Sequence, residues 1–359
     1  MRVGIIGLVG CGKSLLFQAL TGQPPDPPGG KVHRRLGRAL VPDVRVEILA
    51  ELDKSEKKTF AEIVFIDPDG FNPQSGKSLS SEMLGMVRNA DLLTLVIHAF
   101  SDPSVMHPLG SVDGFRDVKA NFGDLIIQDL AVLEGKLQRS LKEYERGKKE
   151  LEKEVETLKK AIAFLEEDKF LAMTEWLDYE RDLLAGLETL TLKKGLVLWN
   201  VGEGVEFGRG GKGVPQDVIE YVESYGWRVG ATCLTIEAEI MELEDSERTA
   251  FTKEYGLAET IRDRFLTTVY TRLGLITFYT SGPKEAAARP VKNGSTAYDA
   301  AGKIHSDIQR GFIRAEVMSF DDFVDLESVD AVRKAGKYRL EKKEYIVQDG
   351  DIIVFRFNV

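Results

Sequence analysis

The chain has 359 residues, 43% hydrophobic and 30% charged, with a net charge of −10 and two cysteines. That length suits about two to three domains with a core large enough to stand without cross-links. Cys11 and Cys233 make neither a disulfide framework nor a cysteine metal cluster and fit a reducing compartment, and the acidic balance argues against a surface that coats nucleic acid as a whole.

No run approaches the ~20 apolar residues of a membrane span. The N-terminal MRVGIIGLVG lacks a signal-peptide layout because it passes straight into a glycine loop. A soluble, cytoplasmic protein is expected. Val3–Leu8 is a short apolar run, followed by that glycine loop and a helical pattern, Ser14–Leu20, ending at Gly22. QPPDPPGG, residues 23–30, is a loop by its prolines. Lys31–Arg45, with five cations against the single acid Asp43, reads as a solvated loop. EIVFID (62–67), DLLTLVIHAF (91–100), LVLWN (196–200) and WRVGATCLT (227–235) read as buried strands. Continuous apolar strands separated by helical stretches predict an α/β fold, a parallel sheet covered on both faces.

Between about Leu125 and Leu190 the apolar positions Leu130, Leu133, Leu137, Leu141, Tyr144, Leu151, Val155, Leu158, Ile162 and Leu165 recur at 3–4 spacing. This is a coiled-coil pattern inserted between two parts of the sheet domain. Gly147 suits the turn of an antiparallel hairpin, with one continuous helix as the competing reading. From Leu275 a small α+β unit follows, in which QDGD (348–351) reads as a tight turn between two strands.

Three short motifs carry chemistry. Gly7-Leu-Val-Gly-Cys-Gly-Lys-Ser14 fits G-x-x-x-x-G-K-[ST]. A loop free of side-chain bulk lets successive amides face phosphate oxygens, and the helix N-terminus behind it adds partial positive charge. Lys13 would neutralise β- and γ-phosphates and the Ser14 hydroxyl would ligate Mg²⁺. Gly7, Gly10, Cys11, Gly12, Lys13, Ser14 and Leu15 form the expected nucleotide-phosphate site. Asp67-Pro-Asp-Gly70 ends a strand, where Asp67 would hold the Mg²⁺ shell and the Gly70 amide would sense the γ-phosphate. An ordinary Pro-Asp-Gly turn is the alternative. Asn200-Val-Gly-Glu203 stands after a strand where GTPases usually carry N-K-x-D. It lacks the lysine and has Glu for Asp, which weakens guanine readout and leaves an acceptor for the adenine amino group.

Together, GLVGCGKSLLFQALTG, NVGE, CLTIEAEIMELEDSER and the C-terminal AAGKIHSDIQRGFIRAEVMSFDDF…YIVQDGDIIVFRFNV resemble the Obg-like ATPase (YchF) family over nearly the whole chain. The resemblance implies a P-loop NTPase domain (1–123 and 191–274) holding a helical coiled-coil insertion (124–190), then a ubiquitin-like β-grasp (TGS) domain (275–359). It implies ATP favoured over GTP, with Asn200 and Glu203 at the base and a flanking loop near Ala231–Leu234, including Thr232 and Cys233. It also implies ribosome or translation-related partners. A hydrophobic residue stands where many GTPases orient water with glutamine, matched by Phe71, and a loop histidine acts instead, matched by His107; an exposed loop histidine is the plainer reading of the latter. Two departures stand out: no threonine lies between Gly22 and Asp43, and DPDGFNPQSGKSLSSEMLG replaces the usual second switch.

The favoured expectation is a slow ATPase switch, monomeric, whose nucleotide state changes the loops Gly22–Arg45 and Asp67–Gly85. The alternative is a nucleotide-binding regulator with little hydrolysis. A small-molecule kinase fits the hairpin and β-grasp unit poorly. Arg34 and Arg35 are candidates to stabilise transition-state charge. A thiol at a helix N-terminus is expected to have a lowered pKa, so redox control through Cys11 or Cys233 is a further option.

Overall fold

The computed structural model describes residues 1–24, 35–67, 81–207 and 212–358. β1 (Arg2–Ile6) leads through the glycine turn into α1 (Lys13–Thr21). Next come β2 (Arg35–Leu40), α2 (Val44–Leu52), β3 (Lys57–Thr59), β4 (Glu62–Asp67), α3 (Ser81–Arg88) and β5 (Leu92–Ala99). The α-helices α4 (Gly114–Glu145), α5 (Glu152–Glu166) and α6 (Asp178–Gly186) separate β5 from β6 (Lys194–Val201). They are followed by α7 (Gln216–Ser224), β7 (Arg228–Thr232), α8 (Leu234–Glu242), α9 (Asp245–Glu254) and α10 (Ile261–Leu273). The last part holds β8 (Leu275–Thr280), β9 (Glu285–Lys292), α11 (Ala297–Ile304), α12 (Ser306–Arg310), β10 (Phe312–Ser319), α13 (Phe320–Leu326), α14 (Val329–Lys334), β11 (Arg339–Glu341) and β12 (Asp351–Phe357). Two compact units result: Met1–Arg38 with Val64–Arg262, and Ala39–Ile63 with Asp263–Val359.

The first unit is built on a sheet of order β2-β4-β1-β5-β6-β7. The pairs β1–β4, β1–β5, β5–β6 and β6–β7 are all parallel. Val3, Ile5, Leu93 and Leu95 are buried, as expected for strands covered on both faces. Helix α4 starts well before residue 125. Its first turns bury Val118, Phe122 and Leu125 with Ile97, Val197 and Trp199. A Cβ on Gly114 would stand 2.3 Å from the Trp199 ring, so a glycine lets the helix begin this close to the sheet.

The helical pattern breaks at Gly147, whose φ of +105° is a conformation that glycine adopts without a Cβ clash. The break excludes a single continuous helix. Ser140 donates to Glu154 and the Tyr144 hydroxyl donates to Glu152 at 3.4 Å, pairings that run in opposite chain directions, so α4 and α5 lie antiparallel. Leu133, Leu158, Ala161 and Leu165 fill the seam, and Lys136 pairs with Glu154 at 2.8 Å. Further down α4, the buried Asp129 carboxylate accepts from the Leu190 and Thr191 amides at 2.9 and 2.8 Å, the Thr191 hydroxyl at 2.8 Å and Arg88 at 3.0 Å. This fastens α4 to the segment that enters β6.

The second unit has a sheet of order β11-β10-β12-β8-β9-β3. β10 pairs antiparallel with β11 and β12, β8 pairs antiparallel with β9, and β12–β8 and β9–β3 are parallel. One cluster joins Val46, Leu49 and Ala50 of α2 to Tyr279, Met318, Phe323 and Ile352, and another gathers Phe278, Val291, Ala300, Val317 and Ile353. The segment Ala39–Ile63, assigned by the sequence segmentation to 1–123, thus groups with the C-terminal residues. QDGD does turn, with Gly350 at φ +87°. Of the segment before it, Ile346 forms only an isolated bridge to Thr296, so the expected two-stranded hairpin is not made.

Candidate functional site

β1 ends at Ile6, and the turn to α1 runs through three left-handed glycines: Gly7 at φ +143°, Gly10 at +80° and Gly12 at +107°. Space forbids side chains as firmly as the dihedrals do. A Cβ on Gly7 would stand 2.5 Å from the Val96 carbonyl oxygen, and one on Gly12 would stand 2.6 Å from Asn200 Nδ2. Gly12 is the N-cap of α1 and offers no side-chain acceptor, so the first amides of the helix are not capped by it. Lys13 is 7% exposed and curls back over the turn. Its ammonium donates to the Leu8 carbonyl at 2.7 Å and the Gly7 carbonyl at 3.1 Å. Ser14 is exposed and Leu15 half-buried.

The neighbouring strands bring the other expected residues to this turn. Asp67, buried at the end of β4, is close enough for its charge to act on Cys11. Asn200, in β6, donates from Nδ2 to the Cys11 carbonyl and accepts the Leu234 amide at Oδ1, each at 3.0 Å. It therefore clamps the phosphate turn to the start of α8. Glu203 is exposed, and its charge reaches Cys233. Thr232 turns inward: its hydroxyl donates to Glu237 Oε1 at 2.9 Å, while Glu237 Oε2 accepts the Ile261 amide at 3.1 Å. Gly70 and Phe71, like Arg34, lie outside the described residues.

Both thiols run against the expectation of a lowered pKa. Burial pushes Cys11 up, more than the nearby Lys13 ammonium pulls it down. Burial likewise pushes Cys233 up, with the charges of Glu203 and Glu237 adding to it. Burial outweighs the favourable field of a helix N-terminus here.

His107 is buried, not an exposed loop residue. Its Nε2 lies 2.7 Å from Asp117 Oδ2, and its Nδ1 accepts the Leu109 amide at 3.1 Å. The loop carrying it abuts the glycine turn: a Cβ on Gly10 would stand 3.2 Å from Val105 Cγ1. Val105, Asp117 and Glu237 were missed in the sequence. An acid ten residues beyond a histidine carries no recognisable spacing, and a glutamate inside the amphipathic LTIEAEIME reads as a solvent-facing position.

A glycine turn between a buried strand and a helix, a lysine folded over it and an acid closing the adjacent parallel strand define the P-loop NTPase class of α/β proteins. Residues 275–358 match the family model YchF-GTPase_C, described as a protein of unknown function (DUF933). The chain is 35% identical over 364 residues to a Bacillus subtilis protein named ribosome-binding ATPase YchF, covering 100% of both. It is 33% identical over 363 residues to an Escherichia coli O157:H7 protein of the same name, covering 100% of this chain and 99% of the other. The solved structure of the Schizosaccharomyces pombe YchF GTPase superposes with a TM-score of 0.82 at 25% identity, covering 99% of this chain and 97% of that one. The chain belongs to the YchF family. Among the described residues no helix is long and apolar enough to cross a membrane.

Proposed function

We propose that this chain binds ATP with Mg²⁺ at Gly7–Ser14, hydrolyses it slowly and uses the nucleotide state to alter its engagement of the ribosome in the cytoplasm. The observation that carries the reading is Lys13, whose ammonium is already held over the three left-handed glycines by two backbone carbonyls. Those neutral acceptors are weak partners for a cation, and polyphosphate oxygens are stronger ones. The exposed Ser14 hydroxyl and the Asp67 carboxylate are oxygen donors of the kind a hard divalent cation prefers. Bound there, Mg²⁺ would neutralise charge on the β- and γ-phosphates. Adenine is favoured over guanine because Glu203 replaces the shorter aspartate and no lysine follows Asn200. Gly70 and Phe71 keep their roles at the γ-phosphate as proposals. The ribosome is the partner named for the relatives, and the α4–α5 hairpin (as the coiled-coil insertion) and the second unit (as a TGS β-grasp) are the parts we assign to it.

The test is calorimetric titration with ATP, ADP and GTP, followed by single-turnover hydrolysis beside Lys13→Ala. Tighter GTP binding overturns the base assignment, and equal rates for wild type and variant overturn the enzyme. One observation favours the second reading, a nucleotide-binding regulator with little hydrolysis: both ring nitrogens of His107 are occupied, leaving none to orient water.

A further inference from the structure

The segment between β5 and α4 is held to α4 by the buried His107–Asp117 pair and, at its exposed end, by Arg116 donating to the Ser111 hydroxyl and carbonyl at 3.1 and 2.7 Å. Since His107 Nδ1 accepts the Leu109 amide, the ring proton sits on Nε2 and is donated to Asp117 Oδ2. The other oxygen of Asp117 accepts from Arg116 Nε and Nη2 at 3.0 and 2.9 Å. Asp117 is 1% exposed, so any movement of His107 toward a nucleotide strands half of a buried carboxylate. A second imidazole lies next to the first. His98 of β5 is 1% exposed, and neither ring nitrogen makes a hydrogen bond of good geometry, the Phe100 backbone being its nearest polar neighbour. Its ring stacks on Phe100 at 3.8 Å and lies 5.0 Å, centroid to centroid, from that of His107. A buried imidazole with both nitrogens unsatisfied is unfavourable as it stands. Burial, then the neighbouring His107, lowers its pKa, while the Phe100 backbone and then the charges of Asp117 and Asp102 act in the opposite sense.

We propose that Asp117 is a carboxylate shared between two imidazoles, bonded to His107 while residues 101–113 are fastened and to His98 when they are released toward a bound nucleotide. His98 is then a positioning residue: its neutral ring supplies the N–H that Asp117 loses, with no proton transferred. The proposal rests on the reading that Gly7–Ser14 holds a nucleotide.

The chain has four histidines, so nitrogen-15 imidazole spectra can be read residue by residue. With a non-hydrolysable ATP analogue and Mg²⁺, His98 is expected to gain a hydrogen-bonded ring N–H and His107 to lose its own. His98→Phe keeps the stacking on Phe100 but offers no donor. It is expected to slow single-turnover hydrolysis about tenfold, worth ~1.4 kcal/mol of barrier, with ATP affinity unchanged. In an Asp117→Asn background that loss is expected to vanish, because no buried charge is left to strand. His98 signals unmoved by the bound analogue overturn the exchange, whether or not the wild type turns over. So does a His98→Phe rate equal to wild type, or an equal loss in both backgrounds. Absence of ATP binding in calorimetry overturns the nucleotide reading itself and the exchange with it.

Discussion

Asn200→Ala separates two roles that the same residue can play. In a base-recognition loop its amide faces the nucleotide. In this structure both ends of the amide are spent on the protein, on the Cys11 carbonyl and the Leu234 amide, each at 3.0 Å. Asn200 is 3% exposed, so truncation leaves a buried carbonyl and a buried N–H without partners. Each stranded group costs ~1–3 kcal/mol, which gives roughly 2–6 kcal/mol for the pair, with the lower half expected if water enters the space left. For a unit of this size ~1 kcal/mol moves the midpoint by about 2–4 °C. A loss of ~2–4 kcal/mol therefore lowers the thermal midpoint of the first unit by roughly 4–16 °C in the absence of nucleotide. The assay is differential scanning calorimetry of the free variant, paired with ATP titration below its midpoint. A variant that melts with wild-type protein yet loses ATP affinity would refute the clamp and return Asn200 to the base alone.

Gly7→Ala would place a Cβ 2.5 Å from a backbone oxygen at φ +143°, so ATP binding measured by titration should be abolished and the fold destabilised by more than ~1–3 kcal/mol. Alkylation of Cys11 and Cys233 should be slow at neutral pH and speed up only in alkaline solution, since burial raises both thiols above the ordinary range of a free cysteine; rapid labelling at neutral pH would contradict their burial. In the second unit, burial pushes Tyr270 up to about 12, and burial with the Asp351 bond pushes Tyr345 up to about 12; Tyr279 is raised further by burial and its bond to Asp43. Raised phenols favour the folded state below pH 10 and lose that contribution as pH rises through about 12, so tyrosinate absorbance should rise cooperatively with unfolding in that window, and a gradual titration centred near 10 would count against it.

The phosphate turn was legible because its chemistry is contiguous: consecutive amides grip one anion, so glycines, lysine and serine must sit within eight residues. The buried strands were legible for a related reason, since a parallel strand covered on both faces needs apolar residues without alternation. What sequence withheld depends on distant partners. KKT at 57–59 carries no strand signal, and becomes β3 only because Lys57–Thr59 finds the edge of β9 at Glu285–Ala287. Nor does the sequence between Arg45 and Glu62 say which sheet Val46 and Leu49 of α2 would cover, since the answer, Tyr279, Met318 and Ile352, lies more than two hundred residues on. The expected QDGD hairpin failed for the same reason: Val347 sends its amide to the Ser295 carbonyl instead of a sequential strand.

At the site the division follows the same physics. The motif after a strand named Asn200 and the family resemblance named His107, but neither could say what their polar atoms would meet. Asn200 Oδ1 and Nδ2 meet two backbone groups brought in by separate elements, which makes the residue a structural strut as well as a candidate reader of the base. His107 meets Asp117, which belongs to the helix that also carries Asp129 and the hairpin seam. A single helix, Gly114–Glu145, therefore carries the buried Asp117 in its first turn, Asp129 further on and Leu133 in the hairpin seam, so three partners far apart in the chain decide what this one stretch of sequence does.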